Sequence, residues 1–263
     1  MFPSRRIVTS GRGVPEGGYS LNFNGTSDYL TLPINFEDQS MTVYAWVKLT
    51  AEQNLPHPNT NYSKAIVFDN RDAYNDGIAM TFSAFDSVKV LFNSNFESNG
   101  IGHNDINEFG HSGDIDKWEL HSFSFNGTAD TNTADLFRNG SEVDDLDEED
   151  DITISLSGSE ATIGKSNLSN STYLEGRIYE VAIYNIAHAA FQHAQIYRNG
   201  DTPTDHANNG GYSNYLWAWY RMGNGDENGS GTTIYDMSGN GHDATMSTSM
   251  GDNSYIHDNP WNI

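Results

Sequence analysis

From Tyr19 onward the chain is cut into short stretches of alternating apolar and polar residues. Each stretch is bounded by Gly, Asn or Asp, and this restricts the chain to an architecture of many short β-strands. YSLNFNG and DYLTLP flank the turn-prone pair Asn24-Gly25, as a hairpin or strand corner would. In MTVYAWVKLT, Val43, Ala45 and Val47 share one face, with Met41, Tyr44, Trp46 and Leu49 interleaved, which predicts a strand covered on both faces. KAIVFDN, GIAMTFSAF, SVKVLFNSN and WELHSFSFNG continue the series. ADLFRNGSEV predicts a hairpin through Asn139-Gly140, and ATIGKSN and GRIYEVAIYN complete the first long block. One segment departs from the pattern. His188 to Gly200 has helical propensity, apolar residues at Phe191, Ala194, Ile196 and Tyr197, and a closing glycine, which predicts one short helix on the rim of a sandwich. A polar linker over 201–211 leads to LWAWYRM, a strongly apolar strand, then TTIYD and the Gly-rich turn SGNGHD.

Composition agrees with this reading. Aromatics make up 12% of the residues, which suits pleated, half-buried surfaces, and 25 glycines supply turns. With no cysteine, the fold is held by its core, with or without a metal. The 263 residues carry 36 acidic and 13 basic side chains, a net charge of −23, which repels nucleic acid and anionic membranes. No stretch approaches a membrane span or a signal h-region, so the expectation is a soluble protein without a visible export signal. Arg5, Arg6 and Arg12 reverse the charge locally and are expected to form an assembly arm that docks on an acidic neighbour, another copy of the chain included. The run Glu142 to Asp151 is expected to be a solvated loop.

Catalytic patterns are absent. A retaining or inverting glycosidase needs two placed carboxylates, and a concanavalin-like glucanase strand carries them as E-x-D-x-E, a triplet this chain lacks. HExxH, GxSxG and a Gly-rich phosphate loop are also missing, so a non-catalytic protein is expected.

Three motifs carry a family resemblance. YSLNFNGTSDYLTLP resembles the opening strand of laminin G-like, concanavalin A-like jelly rolls. LEGRIYEVAIYNIAHAAFQHAQIYRNG resembles their closing strand and helix, and LWAWYRMGNGDENGSGTTIYDMSGNGHDATM resembles their "DxSGNG" segment. The resemblance implies an all-β, two-sheet antiparallel jelly-roll sandwich over residues 19–246, preceded by the arm 1–18 and followed by a tail 247–263. Because the "DxSGNG" segment comes last here, residues 212–246 are expected to close the sandwich beside the N-terminal strand, as in a circular permutation. This order is similar to that of structural proteins of marine tailed phages.

The same resemblance implies a structural Ca²⁺ held by Asp236, Asn240, Asp243 and Glu180, although Tyr179 stands where the family usually has an Asp. A turn rich in Asp and Asn offers the hard oxygens that Ca²⁺ takes. For a glycan, the candidates are Tyr62, Tyr74 and Tyr173, aromatics able to stack on sugar faces. Trp46, Trp118, Trp217 and Trp219 sit within strand patterns and are expected in the core. The leading functional expectation is a non-catalytic virion structural protein (a capsid decoration, fibre or tail-associated subunit) whose partners are other virion proteins, its own copies or a host-surface glycan. The alternative is a secreted or cell-surface carbohydrate-binding adhesion module, and a divergent glycosidase is the third.

Overall fold

The computed structural model describes residues 18–33, 40–50, 65–71, 77–82, 88–92, 116–127, 132–145, 160–168, 172–200, 203–225 and 227–261. They form two antiparallel sheets. The first runs in the order β15 (Tyr255–Ile256), β1 (Ser20–Asn24), β11 (Glu175–Tyr184), β3 (Ser40–Leu49), β7 (Glu119–Gly127), β8 (Asn132–Arg138) and β9 (Ser141–Asp145), with β12 (Leu216–Tyr220) also paired to β11. The second runs in the order β13 (Thr233–Ile234), β14 (Ala244–Met246), β2 (Leu30–Leu32), β10 (Ala161–Ile163), β4 (Ala65–Asp69), β5 (Ile78–Phe82) and β6 (Val88–Phe92). The jelly-roll sandwich expected from the sequence is the observed architecture.

Alternation explains the inner core. Leu21 and Phe23, Leu30 and Leu32, Ala161 and Ile163, and Ala244 and Met246 all turn between the sheets. β3 is covered on both faces as expected, but the division differs by two residues. Met41 and Leu49 join Val43, Ala45 and Val47 inside, and Tyr44 and Trp46 face outward into a second apolar cluster. The pleat's period of two dictates that division.

Asn24-Gly25 is a corner that passes the chain from one sheet to the other. Asn24 Oδ1 accepts the backbone N–H groups of Thr26 (2.9 Å) and Ser27 (2.9 Å), which sharpens the turn. Asn139 and Gly140, at φ 50° and 73°, make the tight β8–β9 turn, whose positive φ values at both centres match the twist of the strands. That turn draws Glu142, Asp144 and Asp145 into β9, an edge strand, so the start of the acidic run is a strand instead of the expected loop. Charge on an edge discourages pairing with another sheet. Residues 146–151 lie outside the described residues.

The closing segment is shared between the sheets: β12 pairs with β11 and β14 with β2, Thr245 lying opposite Thr31. Residues 255–256, expected within a tail, add a strand to β1. Asp258 then fastens the chain end, accepting hydrogen bonds from Lys48 Nζ (3.2 Å), Trp118 Nε1 (3.1 Å) and Arg177 Nη1. Burial opposes ionisation there, but the donors from Trp118, Arg177 and Lys48 prevail and hold this carboxyl below its ordinary range. The predicted helix is α1 (Ala190–Tyr197). Its buried residues Gln192, His193 and Ile196 lie over the outer face of the first sheet, because Tyr44, Trp46 and Tyr184 project there and need covering.

Candidate functional site

The two outward faces of the sandwich have different chemistry. Over the first sheet, α1, the short 3₁₀ turns at 206–208 and 210–215 and Trp261 bury a layer of aromatics and histidines. His193 stacks on Phe137 with ring centroids 3.6 Å apart, and its nitrogens lie 2.8 Å from Ser122 Oγ and 2.8 Å from Ser124 Oγ. Ser124 Oγ donates its proton to the carbonyl of His188 (2.8 Å), so it accepts from His193 Nε2–H. Nδ1 of His193 then accepts from Ser122. This neutral tautomer fits the surroundings, since burial lowers His193 to about 3 and His188 to about 4.

In the same layer Tyr184 Oη lies 2.7 Å from His206 Nδ1, and His206 Nε2 lies 3.0 Å from Glu180 Oε1. Carboxylate, imidazole and phenol in series resemble an acid–base relay, but Glu180, His206 and Tyr184 are 3%, 3% and 0% exposed. No substrate reaches them in this arrangement, and their chemistry is that of a satisfied buried network.

Over β2, β10 and β14 the outer face of the second sheet is polar, while Ala79 and Thr81 on the outward side of β5 are fully buried. Thr31, Thr162 and Thr245 form a cross-strand row on it, opposite the inward Leu30, Ile163 and Met246. Beside this row stands Tyr173, one of the glycan candidates, in a two-residue bridge with Lys165. Its ring is 6.5 Å from that of Tyr29, and Lys165 Nζ lies 4.7 Å from the Tyr29 centroid and 6.0 Å from the Tyr173 centroid. All three side chains are half-buried, open on one side.

Buried polar groups hold this patch in place. Gly164, at φ 87°, turns the chain where an added Cβ would stand 2.5 Å from the Phe23 ring, so glycine alone lets the backbone approach closely enough to lift Lys165 onto the face. Asp69, fully buried, accepts from Arg71 Nη2 (2.7 Å), Asn167 N (3.2 Å) and Ser166 Oγ (3.3 Å), pinning the segment that follows Lys165 to β4. Thr162 Oγ1 donates to the Lys165 carbonyl (2.6 Å), and Asn167 Nδ2 to the carbonyls of Asp69 (3.0 Å) and Glu160 (2.9 Å). Together these place two aromatic faces, one ammonium and a row of hydroxyls on a braced surface. Such a set stacks on a sugar ring and exchanges hydrogen bonds with its hydroxyls. Tyr29 and Lys165 carried no signal in the sequence, because only the β2–β10 pairing brings them beside Tyr173.

The residues considered for Ca²⁺ do not fit a shared metal shell. Asp236 Oδ1 accepts from Trp219 N (2.9 Å) and Ser238 N (2.9 Å), and Oδ2 from Ser238 Oγ (2.8 Å) and His242 N (3.1 Å). Asp243 Oδ1 accepts from Asp236 N (2.9 Å), and Asn240 Nδ2 donates to the carbonyls of Leu216 and Trp217, each at 2.9 Å. Glu180 is turned to other partners, taking the indole N–H of Trp219 at 2.5 Å. Ca²⁺ requires six or more converging oxygens, whereas both oxygens of Asp236 and one each of Asp243 and Glu180 already accept hydrogen bonds from the protein. Among the described residues no group of three or more His, Asp or Glu side chains is placed to hold a metal ion. The motif acts as a hydrogen-bonded clasp between β12 and the 236–243 turn. Tyr62, Tyr74, Arg5, Arg6 and Arg12 lie outside the described residues.

Comparison with known proteins supplies a further finding. A family model described as the concanavalin A-like lectin/glucanases superfamily matches residues 24–192, more than half of the chain. No curated protein matches it by sequence. Among solved structures, a candidate carbohydrate-binding protein from Bacteroides ovatus is similar with a TM-score of 0.57 at 13% identity, over 88% of this chain. The match spans 58% of that protein's own length. A heptameric SAP-like pentraxin from Limulus polyphemus has a TM-score of 0.48 at 14% identity, over 70% of this chain and 83% of its own. Domain 4 of an extracellular arabinanase from Geobacillus stearothermophilus, in complex with arabinotriose, has a TM-score of 0.44 at 16% identity, over 68% of this chain and 76% of its own. At these identities the likeness is one of fold.

Proposed function

The chain belongs to the concanavalin A-like lectin/glucanases superfamily, and on that footing we propose that it is a non-catalytic carbohydrate-binding module. The observation that carries the reading is the pair Tyr29 and Tyr173, held half-exposed beside Lys165 on a threonine-lined sheet face. Tyrosine in such a position offers a rigid apolar plane with few rotamers to freeze and a hydroxyl at its rim. Of the functions expected from the sequence, this is the adhesion-module alternative. The Bacteroides ovatus protein of like fold, itself a candidate carbohydrate binder, supports that alternative over a virion role. Fold alone does not carry function, so the weight rests on the patch.

The test is isothermal titration or affinity electrophoresis against a polysaccharide panel, comparing the parent chain with Tyr29→Ala, Tyr173→Ala and the double variant. The double variant is expected to lose at least about tenfold in affinity, equivalent to about 1.4 kcal/mol, while keeping its melting temperature. Equal binding by parent and double variant would remove the site. Release of reducing ends from any bound polysaccharide would make the protein an enzyme.

A further inference from the structure

Resting on the carbohydrate-binding reading, we propose that the patch selects acidic glycans, those bearing carboxylate or sulfate, and that Lys165 is the residue that makes the selection. Four other cations of the described structure are already paired with carboxylates. Lys48 and Arg177 meet Asp258, Arg71 meets Asp69, and Arg138 meets Glu119. Lys165 differs from them. Its ammonium lies over the rings of Tyr29 and Tyr173, and no described carboxylate stands within ion-pair distance of it.

The ring faces attract the charge but do not accept three N–H bonds in the manner of an oxygen. The nearby Thr162 hydroxyl is spent on the Lys165 backbone carbonyl. The ammonium therefore keeps donors free on its open side, 4.7 Å from the centre of the Tyr29 ring over which it lies. A sugar stacked on tyrosine presents its ring substituents beside that ammonium. A carboxylate or sulfate there completes a charge-assisted hydrogen bond, whereas a neutral hydroxyl makes a weaker one.

The net charge of −23 runs against an anionic ligand at long range. At about 0.15 M salt that field is screened beyond roughly 8 Å, while a contact pair on a half-buried lysine is screened much less. Contact chemistry then decides selection, and the body's acidity sets only how fast an anionic polymer approaches.

Polymer pairs that share a backbone and differ chiefly in charge provide the test: polygalacturonate against its methyl ester, and alginate against its propylene glycol ester, at 0.15 M salt. A neutral mannan and a neutral glucan complete the set. The parent protein is expected to bind at least one acid at least tenfold more tightly than its ester. Lys165→Gln should bring the acid down to the level of the ester without moving the melting curve, and Lys165→Arg should restore the preference. Tyr173→Ala should weaken binding to both members of a pair. If acid and ester bind equally and Lys165→Gln changes neither, charge selection is wrong and glycan binding stands. If no acidic polymer is retained while a neutral one is, the selection is again overturned. If no polymer of either kind is retained, the carbohydrate-binding reading falls, and this inference with it.

Discussion

The two outward faces of this sandwich began from the same strand pattern and ended as opposites. On the first sheet, outward Tyr44, Trp46, Tyr184 and Trp219 are 2%, 6%, 0% and 4% exposed, because a helix and the chain's end lie over them. On the second sheet, outward Thr31 and Thr245 and the neighbouring Tyr29, Tyr173 and Lys165 keep contact with solvent. Large apolar side chains cannot be left in water without cost, so the first face recruits cover and becomes a second core. Threonines and isolated tyrosines tolerate water, so the part of the second face around β2 and β14 stays open, whereas Ala79 and Thr81 of β5 are buried. The lesson is that an aromatic on a sheet is a site candidate only when nothing is stacked on it. Four tryptophans were expected in a core, and two of them, Trp46 and Trp219, are buried outside the space between the sheets.

Substitutions on each face sharpen that contrast. Trp46→Ala is expected to cost about 3–5 kcal/mol by leaving a cavity under Trp261 and Tyr197. Tyr173→Ala should change stability by less than about 1 kcal/mol, as surface substitutions do, yet weaken glycan binding. Denaturant melts on the two variants check this, and comparable losses would break the distinction between core face and open face.

Acid should act through the covered face. His188 and His193 are held neutral, near 4 and 3, chiefly by burial, against an ordinary value of 6.5. The unfolded chain takes up these protons first, so stability is full above pH 6.5 and declines as the pH falls towards 4 and then 3. Each histidine contributes a slope of about 1.4 kcal/mol per pH unit in that window. The groups around them are Tyr44, Ser122, Ser124, Phe137, Tyr184, His206 and Tyr212, and no described carboxylate pairs with either imidazole. Replacing both by Gln should flatten the stability profile between pH 6.5 and 4, measured by urea midpoints. An unchanged slope would show that other groups take up the protons.

The clasp at residue 236 gives a smaller effect. Asp236→Ala removes a carboxylate that accepts from Trp219, Ser238 and His242, leaving buried donors unmet, at a cost of about 1–3 kcal/mol. The loss should be the same in millimolar calcium and in chelator. A calcium-dependent difference in melting temperature would restore the metal reading for this turn. Smallest of all, Lys165→Gln should shift the melt by less than about 0.5 kcal/mol, since a half-exposed cation–π contact is worth about that much.

Much of the sandwich could be read along the chain because its causes are local. Alternation in YSLNFNG, MTVYAWVKLT and GRIYEVAIYN marks strands, and Asn24-Gly25 and Asn139-Gly140 mark turns by the conformations only such residues take cheaply. Tyr173 was picked out for its chemistry, but nothing near it in sequence names Tyr29, 144 positions away in numbering and reached through a β10–β2 register. The resemblance of Asp236, Asn240, Asp243 and Glu180 to a metal set gave the right residue types. It could not tell whether their oxygens would meet an ion or backbone N–H groups, which depends on the path of β12 past the turn.

What the sequence determined by itself is therefore the fold class, the positions of the turns, the helix α1 and the alternation of faces along the strands, set by local periodicity or by one residue's backbone freedom. What only the tertiary structure decided is which outward face is sealed, where the last strand joins and which aromatics remain open. Those outcomes rest on contacts between residues far apart in the chain. Burial and hydrogen bonding at such contacts depend on distances through space, and no local pattern encodes them.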